Sequence, residues 1–306
     1  MKNQNFVFFG SSQFSIYVLD ELEKAGFVPS CIVTTPDKPA GRKLVMTPTP
    51  VALWALERNI KTLKPAKLVA DEILAETSAT SEAAATPVVF IVASYGKIIP
   101  QSVLEIPRRG TLNVHPSLLP KYRGATPLQS AILADDRNIG VTIIQLDAAV
   151  DHGPIVAQYQ VPLDTFTTPA TPGASFEWPP YEKFEEIMGH EGGRLLAQNL
   201  EPWINEKICA NDQDHSLATF TKKIEKEDAF LSEDELQNAL TGADPVAVYL
   251  TFRKIQAYHG SPSAYFFKTS ATDKKRVKIT AASFHDGKLV IERIIPEGKQ
   301  EMPYSA

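Results

Sequence analysis

The sequence predicts an α/β fold whose first domain is built on a parallel sheet and whose second domain is small and rich in β-strands. In the N-terminal part, short apolar runs with β-branched and aromatic residues alternate with helical patterns. Such alternation is typical of parallel strands joined by right-handed helical crossovers. Towards the C-terminus, short β-like runs instead follow one another, separated by turn residues. The length of 306 residues suits two domains of this kind.

The N-terminal pattern fits a Rossmann-like sheet. Its predicted strands are Phe6–Phe9, Cys31–Thr34, Val88–Ala93 and Thr111–Val114. Its predicted helices are Ser15–Ala25, Val51–Arg58, Pro127–Ala134 and Tyr181–Ile204. In open sheets of this kind, ligands bind beyond the carboxyl ends of the strands. The first strand-to-helix turn has only Gly10 where a dinucleotide-binding motif would read GxGxxG, so we do not expect an NAD-type oxidoreductase.

The C-terminal pattern begins after the polar stretch Asn205 to Ser216, which has the composition of an interdomain linker. Beyond it we predict a helix over Pro245–Ala257 and β-runs over Ala264–Phe267, Arg276–Phe284 and Lys288–Ile295. Asp286-Gly287 is a strong hairpin signal. Short antiparallel strands favour a small OB-like barrel. We therefore expect domains at 1–204 and 217–306, joined by a linker at 205–216.

Composition narrows the class of protein. The formal net charge of −5 excludes a broadly cationic protein, so contacts with nucleic acid would come from local basic patches. Cys31 and Cys209 form no CxxC pair, which indicates a reducing compartment. His190-Glu191 is not continued into HExxH, so no metal site is predicted. Since the apolar runs are too short for a signal peptide or a bilayer span, we expect a soluble, cytoplasmic protein.

Three residues carry the predicted chemistry: Asn113, His115 and Asp151. Asn113 and His115 lie two apart on a predicted strand, so their side chains point to the same side. Asp151 follows a second apolar run. An amide donor, an imidazole and a carboxylate suit the transfer of an acyl group from a nitrogen to another nucleophile. In the plainer alternative, Asn113 caps a turn, His115 is a core histidine and Asp151 opens a loop.

Several segments in the same order resemble the folate-dependent formyltransferases, and within them the methionyl-tRNA formyltransferase family. The central ones are NVHPSLLPKYRGATP at 113–127 and VDHGP at 150–154. The others are FVFFGSSQFS at 6–15, VTTPDKPAGRK at 33–43, VASYGKIIP at 92–100 and PEGKQEM at 296–302. The resemblance implies a formyltransferase domain that moves formyl from 10-formyltetrahydrofolate to the α-amine of methionine on initiator tRNA.

The resemblance also implies binding residues. The proline-bounded loop after His115 would line the tetrahydrofolate pocket, with its stiff backbone held to pair with a flat heterocycle. The expected cofactor-binding residues are Ser117, Leu118, Leu119, Pro120, Tyr95, Gly96 and Ile98. The proline-punctuated loop Thr35 to Pro50 would reach the tRNA acceptor end, and C-terminal cations would follow the tRNA backbone. The expected tRNA-binding residues are Lys38, Arg42, Lys43, Lys222, Lys223, Lys274, Lys275 and Arg276.

Two other functions stay open at this point. A formyltransferase of the same fold could act on a nucleotide-linked amino sugar, although relatives of that kind lack the basic loop carrying Arg42. A non-catalytic RNA-binding relative could keep the fold, although the complete Asn113, His115 and Asp151 set argues against it. We expect a monomer with no metal ion.

Overall fold

A computed structural model of the chain describes residues 5–40, 44–78, 86–166, 176–260, 262–269, 274–285 and 287–305. The strands are β1 (Phe6–Gly10), β2 (Cys31–Val33), β3 (Lys38–Ala40), β4 (Val45–Thr47), β5 (Lys61–Leu63), β6 (Val89–Ala93), β7 (Thr111–His115), β8 (Gly140–Gln145), β9 (Ile155–Gln160), β10 (Tyr265–Thr269), β11 (Lys274–His285), β12 (Lys288–Pro296) and β13 (Met302–Pro303). The helices are α1 (Gln13–Lys24), α2 (Pro50–Glu57), α3 (Ala70–Thr77), α4 (Gln101–Leu104), α5 (Pro127–Ala134), α6 (Tyr181–Ile204), α7 (Glu233–Thr241) and α8 (Pro245–Ala257).

The larger sheet has the strand order β5-β2-β1-β6-β7-β8-β9. The strands β5, β2, β1, β6 and β7 are parallel to their neighbours, which confirms the predicted Rossmann-like core. Every residue of β1 and of β6 is buried, as expected for strands in the middle of a sheet covered on both faces.

The predicted parallel sheet has an antiparallel edge. Strand β8 pairs antiparallel with β7, placing Thr142 beside His115, and β9 pairs antiparallel with β8. The residues between β8 and β9 fold the chain straight back, so no crossover helix is needed. The sheet is therefore mixed.

The proline-punctuated segment Thr35 to Pro50 was predicted as a loop, and it contains a short antiparallel hairpin. Strand β3 pairs with β4 in the register Lys38↔Thr47 and Ala40↔Val45. Residues 41–43 at its turn lie outside the described part of the chain. The following helix α2 begins at Pro50, and the Thr49 side chain caps it by accepting a hydrogen bond from the Ala52 N–H.

The C-terminal strands form an antiparallel sheet in the order β10-β11-β12-β13, which confirms the predicted C-terminal β-structure. His285 pairs with Lys288, so β11 and β12 are antiparallel neighbours; of the predicted turn residues, Asp286 lies outside the described part of the chain. Between the described strands the sheet is open rather than a closed barrel, with β10 and β13 at its edges. Strand β13 has only two residues, too few to pair with a second strand besides β12 and so close a barrel.

Two compact units divide the chain. One comprises residues 1–124, 138–161 and 186–220, and the other comprises residues 125–137, 162–185 and 221–306. In the second unit α5 packs against α8, and a capping box of Ser232 and Glu235 starts α7. The domains predicted at 1–204 and 217–306 stay a prediction, since compactness groups α5 with the C-terminal helices. Within the described residues, no helix combines the length and apolar content that a membrane crossing requires.

Candidate active site

The predicted site lies at the carboxyl end of β7 in the first unit. Asn113 and His115 are the third and fifth residues of that strand, TLNVH, and their side chains share one side of it. Asp151 lies in the loop between β8 and β9, with a positive φ of 47°. A non-glycine residue with φ in this range is held there by its surroundings. The loop conformation therefore aims the Asp151 carboxylate at the strand end.

The structure brings the three side chains together at one oxygen atom. His115 Nδ1 lies 3.5 Å from Asp151 Oδ1. Asn113 Nδ2 lies 3.4 Å from the same Asp151 Oδ1. The side chains of His115 and Asp151 are only 5% and 13% exposed, so their charges are poorly screened by solvent. This cluster has the donor, proton carrier and carboxylate that acyl transfer needs.

The second nitrogen of the His115 ring determines its tautomer. His115 Nε2 lies 3.0 Å from the backbone carbonyl oxygen of Tyr122. A carbonyl can only accept a hydrogen bond, so Nε2 carries a proton. Nδ1 is therefore the ring nitrogen that faces Asp151. This orientation matches a histidine that transfers protons through one ring nitrogen while the other anchors it.

Asp151 is held by a backbone donor and by a side-chain donor. The Gly124 N–H donates to Asp151 Oδ2 at 2.8 Å. Gln213 Nε2 donates to the carbonyl oxygens of Asp151 and Gly153 at 2.9 and 2.7 Å. At Gly153, a Cβ atom would lie 1.8 Å from the Gln145 carbonyl oxygen, so only glycine fits. Both the carboxylate and the backbone of the loop are thus fixed.

Sequence reasoning missed four of these groups. The Tyr122 carbonyl and the Gly124 N–H are backbone groups, so their contacts cannot be predicted from residue type. Gln213 and its partner Arg123 have informative side chains, and both are buried. Gln213 lies in the segment predicted to be an interdomain linker, because its neighbours in the sequence are polar. The useful signal was available only from the fold: Asn211 pairs with Ile155, which brings residues 205–220 onto the catalytic unit.

The loop that follows His115 is held by hydrogen bonds within the protein. Thr142 Oγ1 donates to the Ser117 carbonyl at 2.6 Å and accepts from the Leu119 N–H at 3.2 Å. Gln158 Nε2 donates to the Leu119 carbonyl at 2.9 Å. The backbone groups expected to pair with a heterocycle are thus already engaged. Leu119 is buried and Leu118 and Pro120 are half-buried, so the loop offers a ligand mainly apolar surface.

The second predicted pocket segment follows β6. Gly96 has a φ of 79°, which suits a turn where a ligand can approach the backbone. Ile98 is 90% exposed, whereas Tyr95 is 2% exposed. Burial raises the pKa of the Tyr95 hydroxyl to about 12. Tyr95 packs edge-on against Phe9 in the core, so its side chain supports the segment from behind and Gly96 and Ile98 form its surface.

The predicted tRNA-binding residues are spread over both units. In the first unit, Lys38 is exposed on β3, whereas Arg42 and Lys43 lie outside the described residues. In the second unit, Lys222 and Lys223 are exposed, and Lys222 lies 3.7 Å from Asp228. Lys274 and Lys275 are exposed at the start of β11, and Arg276 is half-buried. Arg276 lies over the Tyr265 ring, with 5.7 Å between the guanidinium carbon and the ring centroid.

Metal-ligating and thiol side chains are a further possible source of chemistry. Among the residues that the structure describes, no group of three or more His, Cys, Asp or Glu side chains is placed to hold a metal ion. Cys31 is buried and Cys209 is exposed. Burial raises the pKa of the Cys31 thiol to about 11, which makes it a poor nucleophile.

Comparison with known proteins agrees with this fold. A family model for formyl transferases matches residues 4–177. The class of protein is thus a formyl-group transferase. A curated methionyl-tRNA formyltransferase of Thermotoga neapolitana is 34% identical over 292 residues, which cover 95% of this chain and 84% of the relative. The chain belongs to the methionyl-tRNA formyltransferase family.

Solved structures share the fold at low identity. Methionyl-tRNA formyltransferase from Clostridium thermocellum superposes with a TM-score of 0.59 at 14% identity, covering 96% of this chain and 98% of that one. An N-formyltransferase from Helicobacter canadensis, in complex with folinic acid and dTDP-3-aminofucose, superposes with a TM-score of 0.54 at 14% identity. The match covers 95% of this chain and 94% of that one. The fold is therefore shared by enzymes with different acceptors.

Proposed function

We propose that the protein transfers the formyl group of 10-formyltetrahydrofolate to the α-amine of methionine carried by initiator tRNA. The observation that carries the proposal is the convergence of Asn113 Nδ2 and His115 Nδ1 on Asp151 Oδ1, at 3.4 and 3.5 Å. The relatives named methionyl-tRNA formyltransferase support the choice of acceptor. The protein acts in the cytoplasm as a monomer.

Asn113 stabilises the charge that develops on the formyl oxygen. Its carboxamide nitrogen has two N–H donors. One is directed at Asp151 Oδ1, 3.4 Å away, and the other is available to the substrate. A donor that is already fixed in the free enzyme stabilises a developing oxyanion without reorganisation. Asp151 thus orients Asn113 as well as His115.

His115 and Asp151 move the proton. The attacking amine has to lose a proton, and the leaving nitrogen has to gain one. Because Nε2 is anchored on the Tyr122 carbonyl, this proton passes through Nδ1, next to Asp151 Oδ1. A proton taken from the amine can therefore be delivered to the leaving nitrogen from one place. Asp151 acts through His115, as a group that keeps the ring oriented.

The residues present fit a folate. Ile98 and Leu118 offer apolar surface to a flat heterocycle, and Gly96 allows close approach to the backbone. Ser117, Leu119 and Pro120 shape the adjoining loop, and Tyr95 supports the segment of Gly96 and Ile98 from the core. The bound 10-formyltetrahydrofolate supplies the formyl group.

Acceptor recognition is assigned to the cations predicted from the sequence. Lys38 on β3, together with Arg42 and Lys43 from the sequence that follows it, would grip the acceptor end of the tRNA. The C-terminal cations would neutralise phosphates along its backbone. They are Lys222, Lys223, Lys274, Lys275 and Arg276.

The test is a formylation assay with 10-formyltetrahydrofolate and either methionyl initiator tRNA or a nucleotide-linked amino sugar. We expect formylated methionyl-tRNA and no turnover of the sugar. Arg42→Ala should impair transfer to tRNA while leaving folate binding intact, since small errors in placing the amine are costly. Arg108→Ala, at an exposed arginine outside the predicted site, serves as the matched control. Formylation of the sugar alone, with Arg42→Ala silent, would assign the protein to the sugar enzymes. Transfer to neither acceptor would support a non-catalytic RNA-binding protein.

A further inference from the structure

Arg123 is a buried cation in the middle of the active-site loop. It is 3% exposed. Its chain neighbours are the two residues whose backbone groups hold the catalytic pair: the Tyr122 carbonyl accepts from His115, and the Gly124 N–H donates to Asp151. Any shift of Arg123 therefore displaces both contacts.

The guanidinium has neutral partners among the described residues. Its Nε and Nη2 atoms donate to Gln213 Oε1 at 3.2 and 2.7 Å. Nη2 also donates to His215 Nδ1 at 2.8 Å. Burying a guanidinium against partners without negative charge is costly, and well-packed apolar side chains would stabilise the fold at least as well. The cost points to a role other than stability.

Arg123 sets the orientation of the Gln213 amide. Because a guanidinium only donates, the oxygen of the amide has to face Arg123. The NH2 group then faces the opposite way, where Nε2 donates to the carbonyl oxygens of Asp151 and Gly153 at 2.9 and 2.7 Å. Without Arg123 the amide could turn over, which would leave those two carbonyls without donors.

His215 provides a second connection between Arg123 and the same loop. The His215 ring stacks on the His152 ring, with centroids 4.1 Å apart and planes at 3°. His152 directly follows Asp151, and its Nδ1 lies 2.7 Å from Asp147 Oδ2. The loop is thus held on both sides of Asp151.

We infer that Arg123 and Gln213 form a clamp that positions Asp151 against His115. Both are positioning residues, since neither touches the Asp151 carboxylate or the His115 ring. The clamp joins residues 122–124 to residues 151–153. It holds the backbone of Asp151, which has the left-handed conformation with φ 47°. The inference rests on the proposed function only for naming the reaction that is affected.

Two substitutions test the clamp. Gln213→Glu keeps an oxygen for Arg123 but removes both donors to the Asp151 and Gly153 carbonyls. Arg123→Lys keeps the charge but loses the fork that grips the amide. We expect kcat for formyl transfer to fall about 10- to 100-fold in each variant, with KM for folate and for tRNA unchanged. Arg109→Lys is the matched control, because Arg109 also donates from Nε and Nη2 to a single oxygen, the backbone carbonyl of Trp203, in the same unit.

Each variant is assayed well below its melting temperature, so that loss of folded protein does not count as loss of catalysis. A kcat equal to that of Arg109→Lys in both variants would overturn the clamp. A raised KM for tRNA with normal kcat would also overturn it, since Arg123 would then contact substrate directly. If Arg123→Lys does not fold, Gln213→Glu decides the question alone.

A readout without substrate separates this inference from the proposed function. The imidazole ¹⁵N signals of the six histidines can be recorded in the free protein, and that of His115 is assigned from its loss in His115→Ala. We expect Gln213→Glu to shift the His115 signals and Arg109→Lys to leave them in place. Unshifted His115 signals would refute the clamp whichever acceptor the enzyme uses. If Gln213→Glu shows the shift but the wild-type protein transfers no formyl group, only the proposed function is refuted.

Discussion

The proposed catalytic cluster of the first unit and the cationic residues of the second unit are built in opposite ways. His115 and Asp151 are 5% and 13% exposed and lie within 3.5 Å of each other. Lys222 in the second unit is 86% exposed, 3.7 Å from Asp228. In the first region each side chain depends on the position of another. In the second, long flexible side chains present charge to solvent, where a salt bridge contributes little.

This difference predicts different responses to mutation. Groups that act as one unit give non-additive effects, because removing any one of them disables the others. Separate phosphate contacts give effects that add, each reducing the salt dependence of binding. Large, non-additive losses in kcat are therefore expected in the first unit, and small, additive losses in tRNA affinity in the second.

The largest effect is expected at the strand end. His115→Ala and Asn113→Ala should each lower the chemical step by about 100-fold or more, because a proton carrier or an oxyanion donor is lost. Folate affinity should change little. Single-turnover formyl transfer with saturating tRNA measures the step. His190→Ala is a suitable control, since His190 is another partly buried histidine of the same unit that contacts a carboxylate, Glu21, at 2.8 Å. Wild-type rates in both site variants would remove these residues from the mechanism.

The next effect tests whether the cluster acts as a unit. Asp151→Asn should be nearly as inactive as His115→Ala, because it removes the carboxylate that orients the ring. The double variant should be little slower than either single variant. The double-mutant cycle on kcat measures the coupling. Losses that multiply in the double variant would show that Asp151 and His115 act independently.

The sequence predicted the parts of this site that residue type and periodicity encode. The apolar runs of β1 and β6 identified the sheet, and the two-residue spacing of Asn113 and His115 placed them on one side of a strand. The antiparallel edge was missed because an apolar run such as β8 does not reveal its direction. Gln213 was missed because its role depends on residues 205–220 folding back onto the loop that carries Asp151. The polar composition of that segment resembles that of a linker.

A smaller effect is expected for the cations of the second unit. Replacing Lys274, Lys275 and Arg276 with Gln should weaken tRNA binding and reduce the slope of log K against log salt by about one for each lost phosphate contact. The chemical step at saturating tRNA should be unchanged. Lys288→Gln with Lys299→Gln is the control, because both lysines are exposed in the same unit and lie outside the predicted site. An equal change of slope in the control would mean that tRNA senses only the overall charge.

A histidine–carboxylate pair in the second unit, His259 and Glu182, sharpens the comparison between the two regions. His259 Nδ1 donates to Glu182 Oε2, and Nε2 donates to the Thr280 carbonyl at 2.7 Å. The hydrogen bond to Glu182 raises the pKa of His259, against the opposing effect of burial. Burial alone would raise the pKa of Glu182, but the contact with His259 lowers it. Unlike the His115 and Asp151 pair, this pair has no role in the proposed reaction.

The smallest of the four expected effects in this comparison is that of the His259 and Glu182 pair. It acts on the stability of the protein and not on the rate of the reaction. A raised pKa means that the folded state binds the proton more tightly than the unfolded chain. The stabilisation is therefore complete below the unfolded pKa of about 6.5 and is lost as the pH rises through the folded pKa of His259. Thermal unfolding should show His259→Gln destabilised at pH 6 and much less so at pH 9, with Glu182→Gln behaving alike and the double variant adding little. A deficit in His259→Gln that is the same at both pH values would show that the ring stabilises the unit by packing and not by its charge.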